Sequence, residues 1–291
     1  MDIGVGLPVM VPGTHPARAV EWARAAEEHG FAGVAVLDRV VSGNQEPLVT
    51  LAAAAAVTSR VRLATTVLIG PLRGDGTLLA KQAATMHALT GGRLVLGVAA
   101  GGREDDYLAT GVPFAGRGRR LDEMLTRMRE IWRGDTPVGP APPGGGPPII
   151  VGGHSPAAVR RAALHGDGWI AGAGSAEPYE QRVRRFADAW RAAGRTSRPR
   201  LMALVYYALG PGAGDRARAY ADACYGGLGP YAARVAAGVA TTAEQVRAVI
   251  REHAEAGCDE LLFFPCSADG DQLERLAGLV GLTAPAAGAP R

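Results

Sequence analysis

Lysine is almost missing from this chain: of 31 basic residues only Lys81 is lysine, and the rest are arginine. A Schiff-base enzyme needs a lysine at its reacting position, and Lys81 falls inside a predicted outer helix, which argues against that chemistry. Cysteine is equally sparse. Cys224, Cys258 and Cys266 are odd in number and lack metal-ligand spacing, so a reducing compartment is expected and a structural zinc is not. The six histidines are scattered, with no His-x-His, no His-Glu-x-x-His and no acidic cluster, so no metal site is expected. No stretch approaches the roughly 20 apolar residues of a membrane span, and the opening MDIGVGLPV has no basic region before an apolar core. A soluble, cytoplasmic protein is the expectation. Net charge is only +3 and the arginines are dispersed, which makes nucleic acid an unlikely partner. There is no Gly-x-Ser-x-Gly elbow, and the glycines in GVAAGG at 97–102 do not match the dinucleotide fingerprint.

What the 291 residues do contain is alternation of apolar strand and amphipathic helix patterns, with 47% hydrophobic residues. Strands are predicted at 3–7, 33–37, 61–67, 93–98, 149–151, 168–171, 201–209 and 260–264. Helices are predicted at 15–29, after Pro47, at 78–89, 118–132, from Pro156, at 177–193, in pieces over 213–256, and at 272–280. Eight strand-helix units in one chain predict a single α/β domain over 1–283, a closed (β/α)8 TIM barrel, with a disordered tail at 284–291. A doubly wound open sheet is the structural alternative. His29, His87, His165 and His253 fall at outer helices, where surface or capping roles are expected.

The most informative stretch is PPIIVGGHSPAAVRRAALHGDGWI at 147–170. A buried strand stops at Gly152-Gly153, Ser155 is a good N-cap and Pro156 suits the first helical position. The first helical turn carries no acid to neutralise the helix dipole, so backbone amides beside His154 can receive a phosphate. An ordinary tight strand-to-helix turn is the other reading. In a barrel the residues after each strand form the site, and here they are rich in glycine and poor in acids and bases. That composition suits chemistry carried by a bound cofactor.

Five ordered blocks, GFAGVAVLD, RVRLATTVL, LLAKQAATM, GGRLVLGVAAGGREDDYLATGVPFAGRGRRLDEML and PPIIVGGHSPAAVRRAALHGDGWI, resemble the bacterial luciferase-like oxidoreductase superfamily over most of residues 1–172. The resemblance implies a luciferase-like barrel, often a homodimer, that binds FMN or the 8-hydroxy-5-deazaflavin coenzyme F-420; the chain is more similar to the deazaflavin branch. It also implies that the Thr66-Val67 link is a non-proline cis peptide behind the ring, and that Asp38 is a ring-contacting acid. Ala100, Gly101 and Asp105 align with the loop beneath the ribityl chain and phosphate, and Gly152, Gly153, His154 and Ser155 with the main phosphate turn.

Two positions depart from the deazaflavin dehydrogenases: Arg39 stands where many use a proton-transferring histidine, and Gly102 where the sugar-phosphate enzymes have a catalytic glutamate. Arginine stays protonated, so it can hold an anion or stabilise charge but cannot shuttle a proton. A reductase of C=C or C=N bonds, acting on a small organic substrate, needs less: a bound ring, an aligned acceptor and a proton donor, for which Tyr206 or Tyr207 is a candidate depending on which points inward. An FMN-dependent monooxygenase and a non-catalytic flavin-binding protein are the alternatives.

Overall fold

The computed structural model describes residues 1–282, so the tail expected at 284–291 lies outside the described residues. Parallel strands β1 (Asp2–Gly6), β2 (Gly33–Val36), β3 (Arg62–Thr65), β4 (Leu68–Ile69), β5 (Leu94–Ala99), β6 (Ile149–Gly152), β7 (Gly168–Ala171), β8 (Arg200–Tyr207) and β9 (Glu260–Pro265) form one sheet. Its order is β3-β2-β1-β9-β8-β7-β6-β5-β4, and β3 also pairs with β5 through Leu63↔Leu94 and Ala64↔Val95, which closes the ring. β3 and β4 are one stave interrupted at Thr66-Val67, where the peptide bond is cis. Eight staves therefore make the expected TIM barrel, not the open sheet.

The strand compositions suit a sheet covered on both faces, and the β3–β5 pairing closes it. Most strands are buried on both faces and read as continuous apolar runs. Alternate residues divide into two cores: Val95, Ile150, Ile170, Leu204, Leu262 and Phe264 fill the barrel, while their neighbours such as Leu94, Val151, Trp169 and Phe263 face the helices. At the end where the strands begin, buried Glu260 binds Arg62 at 3.2 Å and Arg200 at 2.6 Å.

The helical ring comprises α1 (Arg18–Glu28), α2 (Pro47–Ala56), α3 (Thr77–Leu89), α4 (Glu104–Thr110), α5 (Arg117–Arg133), α6 (Pro156–His165), α7 (Tyr179–Ala192), α8 (Ala213–Tyr225), α9 (Pro230–Ala237), α10 (Ala243–Glu255) and α11 (Asp271–Val280). α4 is absent from the sequence reading. It is only seven residues long, and its Glu-Asp-Asp start carries no apolar period. The excursion after β8 folds over the barrel mouth: Ala217 and Tyr220 of α8 and Val235 of α9 join the inner core. It is tied back at Ala240, whose N–H donates to Tyr206 O at 2.9 Å and whose carbonyl accepts from Ala208 N at 3.0 Å. His253 departs from the expected surface role. It is buried and stacked on Tyr179 with ring centroids 4.3 Å apart, because α10 turns this face toward α7. No described helix is long and apolar enough to cross a membrane.

Candidate active site

A cavity of about 670 Å³ opens where β3 to β8 end, and the N-termini of α5 and α6 border it. At α6, Ser155 is extended and its Oγ accepts from Ala158 N at 3.2 Å, so the cap predicted from sequence forms. Gly153 has φ 126°, and a Cβ there would lie 2.6 Å from the Ala158 Cβ. Both facts demand glycine. Trp169 Nε1 donates to Gly153 O at 2.9 Å, fixing the turn from below.

The second helix start was not visible as a site in the sequence. α5 begins after Gly116 (φ 74°) with no acid in its first turn. Arg117 lines the cavity, stacks on Phe114 at 3.6 Å and donates from Nε to Gly101 O at 3.1 Å. Among the described residues it has no carboxylate in ion-pair range. Arg161 also lines the cavity, with its charge balanced by Asp122, and its guanidinium occupies space that a Cβ at Gly118 would invade at 2.7 Å. Two helix N-termini and the unpaired Arg117 guanidinium thus border the cavity, an arrangement able to receive an anion such as a phosphate. The sequence signal was the acid-free run Arg117-Gly118-Arg119-Arg120, read only as the start of an amphipathic helix.

His154 lines the cavity, and its Nδ1 is buried without a hydrogen-bond partner. Burial first, then the charges of Arg182 and Arg185, push its pKa down to about 4. Neutral at physiological pH, the ring adds no charge of its own to the cavity.

Val67, Ile170 and Leu204 give the cavity its apolar lining, with Thr66 beside them; Val67 and Ile170 lie against Gly152, where a Cβ would be 3.1 and 3.4 Å from them. Thr65 holds the interruption between β3 and β4 in place: its Oγ accepts from Gly97 N at 2.8 Å and donates to Gly97 O at 2.7 Å. Thr66 Oγ donates to Val36 O at 3.0 Å. Ala100 and Gly101 line the cavity; Gly101 has φ 70°, and a Cβ there would lie 2.7 Å from Ile69 Cγ2. Gly102 lines it too, and a side chain there would enter open space.

The remaining candidates lie behind this lining. Asp38 accepts from Ile69 N at 2.8 Å and binds Arg73 at 3.0 Å, which places its carboxylate on the loop after β4. Arg39 binds Asp105 at 2.9 Å and Asp106 at 2.7 Å, and buried Asp106 also accepts from the N–H groups of Val40 and Val41 at 2.8 Å. The two candidates Arg39 and Asp105 are therefore brought together, outside the cavity lining. The hydrogen bond from Arg103, and then the charge of Arg39, hold the Asp105 carboxyl below the usual range. Arg39 instead borders a second cavity of about 450 Å³ with Met10, Val11, Arg103 and Cys224.

Alternation along β8 separates the tyrosines. Tyr206 points into the barrel and shares a hydroxyl hydrogen bond with Tyr225. Tyr207 points into the helical layer, edge-on to Phe263 with centroids 6.0 Å apart, so the structure does not bring it to the cavity. Burial raises the pKa of Tyr206 and of Tyr225, so both are protonated phenols. Tyr225 packs on Tyr231, centroids 5.7 Å apart, and Tyr231 lines the cavity. Among the described residues no three potential metal ligands cluster.

Comparison with known proteins bears on the family of the chain. An uncharacterised protein of Mycobacterium tuberculosis is 36% identical over 211 residues, covering 60% of this chain and 72% of the relative. Relatives named as F-420-dependent glucose-6-phosphate dehydrogenase, from Mycobacterium avium and Nocardia farcinica, are 34% and 33% identical. These matches cover 56% and 60% of this chain, and 55% and 58% of the relatives. Among solved structures, an F-420-dependent secondary alcohol dehydrogenase with an F-420-acetone adduct superposes with TM-score 0.81 at 21% identity, covering 98% of this chain and 99% of that one. The FMN-bound oxygenating component of a Pseudomonas putida diketocamphane monooxygenase gives TM-score 0.75 at 18% identity, with both chains fully covered. The sequence profile of the luciferase-like monooxygenase family matches residues 1–263 of the closed barrel, and the chain belongs to that family.

Proposed function

We propose that this protein is an oxidoreductase that binds coenzyme F-420 and reduces a C=C or C=N bond of a small organic substrate. The observation that carries the reading is that one cavity combines the α5 and α6 N-termini, Arg117 and Ser155 with an apolar lining at Val67, Ile170 and Leu204. A flat heterocycle on a phosphate-bearing chain has these two requirements. The relatives named as F-420-dependent support the deazaflavin branch over FMN.

When bound, the reduced coenzyme supplies a hydride, and the acceptor bond then needs one proton. The chain's own part is to hold the phosphate, keep Val67 against the apolar wall through the Thr65–Gly97 bonds, and exclude water with the α8–α9 cover. Tyr206 and Tyr225, both protonated and hydrogen-bonded through their hydroxyls, lie behind Tyr231, which lines the cavity. Arg39 acts through Asp105 and Asp106 as a positioning residue, clamping α4 to the loop after β2.

Equilibrium fluorescence titration tests the reading: coenzyme F-420 should bind more tightly than FMN, and turnover with the reduced deazaflavin should consume no oxygen. Tighter FMN binding with substrate-dependent oxygen uptake would assign the monooxygenase activity instead.

A further inference from the structure

We infer that the second cavity, beside Arg39, is a binding site for a small carboxylate compound. The inference stands apart from the coenzyme reading, because it concerns a different cavity and its test needs no coenzyme.

The cavity is assembled from loops at the end of the barrel where the strands finish, the face that carries the active site in barrel enzymes. The loop after β1 supplies Val9, Met10 and Val11, the loop after β2 supplies Arg39 and residues 42–45, and Arg103 enters from the loop after β5. Along that last loop Ala99 to Gly102 line the main cavity and Arg103 lines the second, so one short stretch of chain borders both. A volume of about 450 Å³ lies within the range of small-molecule pockets.

Its polar lining is rich in unused donors. Both arginines meet their carboxylates through Nε and Nη2: Arg39 binds Asp106 at 2.7 Å and Asp105 at 2.9 Å, and Arg103 binds Asp105 at 3.4 and 3.1 Å. Nη1 of each has no hydrogen-bond partner among the described residues, and both Nη1 atoms are open to solvent. The backbone N–H groups of residues 42–45 likewise have no acceptor among the described residues. No carboxylate among the described residues lines the cavity; Asp38 and Glu46, the acids flanking the loop after β2, bind Arg73 instead.

These donors select the ligand. Pairing with Asp105 and Asp106 holds the two guanidinium groups in place and cancels their charge, so the four groups together are neutral before a ligand arrives. A single carboxylate can then take charge-assisted hydrogen bonds from the free Nη1 donors, whereas a phosphate dianion brings a second charge that nothing in the lining offsets. Val9, Met10, Val11 and Val41 complete the lining with apolar surface, which suits a carboxylate carried on an apolar frame.

Isothermal titration calorimetry with benzoate and its neutral analogue benzamide, on the protein without coenzyme, tests the inference. Benzoate should bind at least about tenfold more tightly than benzamide, and raised salt should narrow the difference. Arg103→Gln should weaken benzoate about tenfold and leave benzamide unchanged, with the melting temperature of the wild type. Ser42→Phe, at an exposed residue of the lining, should block benzoate by bulk alone. Arg117→Ala, in the main cavity, should leave benzoate binding as it is, and in that variant phenyl phosphate should bind more weakly than benzoate. Undetectable benzoate binding at millimolar concentration, equal binding of benzamide, or loss of benzoate in Arg117→Ala but not in Arg103→Gln or Ser42→Phe overturns the inference. Tighter binding of phenyl phosphate than of benzoate in Arg117→Ala overturns the assignment to a carboxylate.

Discussion

Replacing Ser155 with aspartate separates phosphate recognition from folding. Ser155 caps α6 by accepting from Ala158 N at 3.2 Å, and its neighbours line the cavity. Aspartate is an equally good N-cap, so the helix should start unchanged. Gly153→Asp, the more obvious way to add charge, is a poorer probe because Gly153 has φ 126° and its Cβ would strike Ala158, so fold and site would fail together. In Ser155→Asp the new carboxylate occupies the helix N–H groups that a phosphate would use and repels it. One pair of unit charges about 6 Å apart costs about 3 kcal/mol at an effective dielectric of about 20, and about 0.7 kcal/mol at that of bulk water. Coenzyme affinity should therefore fall by between about threefold and a hundredfold, with partial burial favouring the upper part of that range. Fluorescence titration with the phosphorylated coenzyme, beside its dephosphorylated core, reads the effect: the first should weaken and the second should not. Wild-type affinity for the phosphorylated form, with an unchanged melting temperature, would place the phosphate elsewhere.

Arg117→Ala removes the cation stacked on Phe114 and bonded to Gly101 O; coenzyme affinity should fall about tenfold and depend less steeply on salt in a titration series. Thr65→Val leaves both polar backbone groups of Gly97 without their side-chain partner, so urea denaturation should show a loss of about 1–3 kcal/mol. His154 has a folded pKa of about 4 against an ordinary value near 6.5, so the unfolded chain binds more protons between those values. Its contribution to stability is complete above about pH 6.5 and is lost as pH falls toward 4. His154→Gln should flatten that acid limb in thermal melts; an identical pH profile would mean that the ring does not titrate this way.

The sequence alone determined a parallel α/β sheet of eight strand-helix units, because the two periods recur in order and strands such as Ile149–Gly152 and Gly168–Ala171 are apolar on both faces, which a sheet covered on both sides can bury; that the sheet closes, through β3 and β5, was decided by the tertiary structure. The sequence also determined the α6 turn, since an N-cap, a proline at the first helical position and a glycine at positive φ act within a few residues of one another. The short helix α4 escaped it, having no apolar stripe to read. Only the tertiary structure could bring Arg117 and Arg161 to the same cavity, because they lie on different helices and the Gly118 surface that admits Arg161 is a matter of packing. It likewise decided the setting of Arg39. From sequence this was a free cation after β2; in the fold, Asp105 and Asp106, 66 and 67 residues further along, neutralise it. Local signals fix local geometry, but whether a charge is free or paired depends on which distant groups the closed barrel sets beside it.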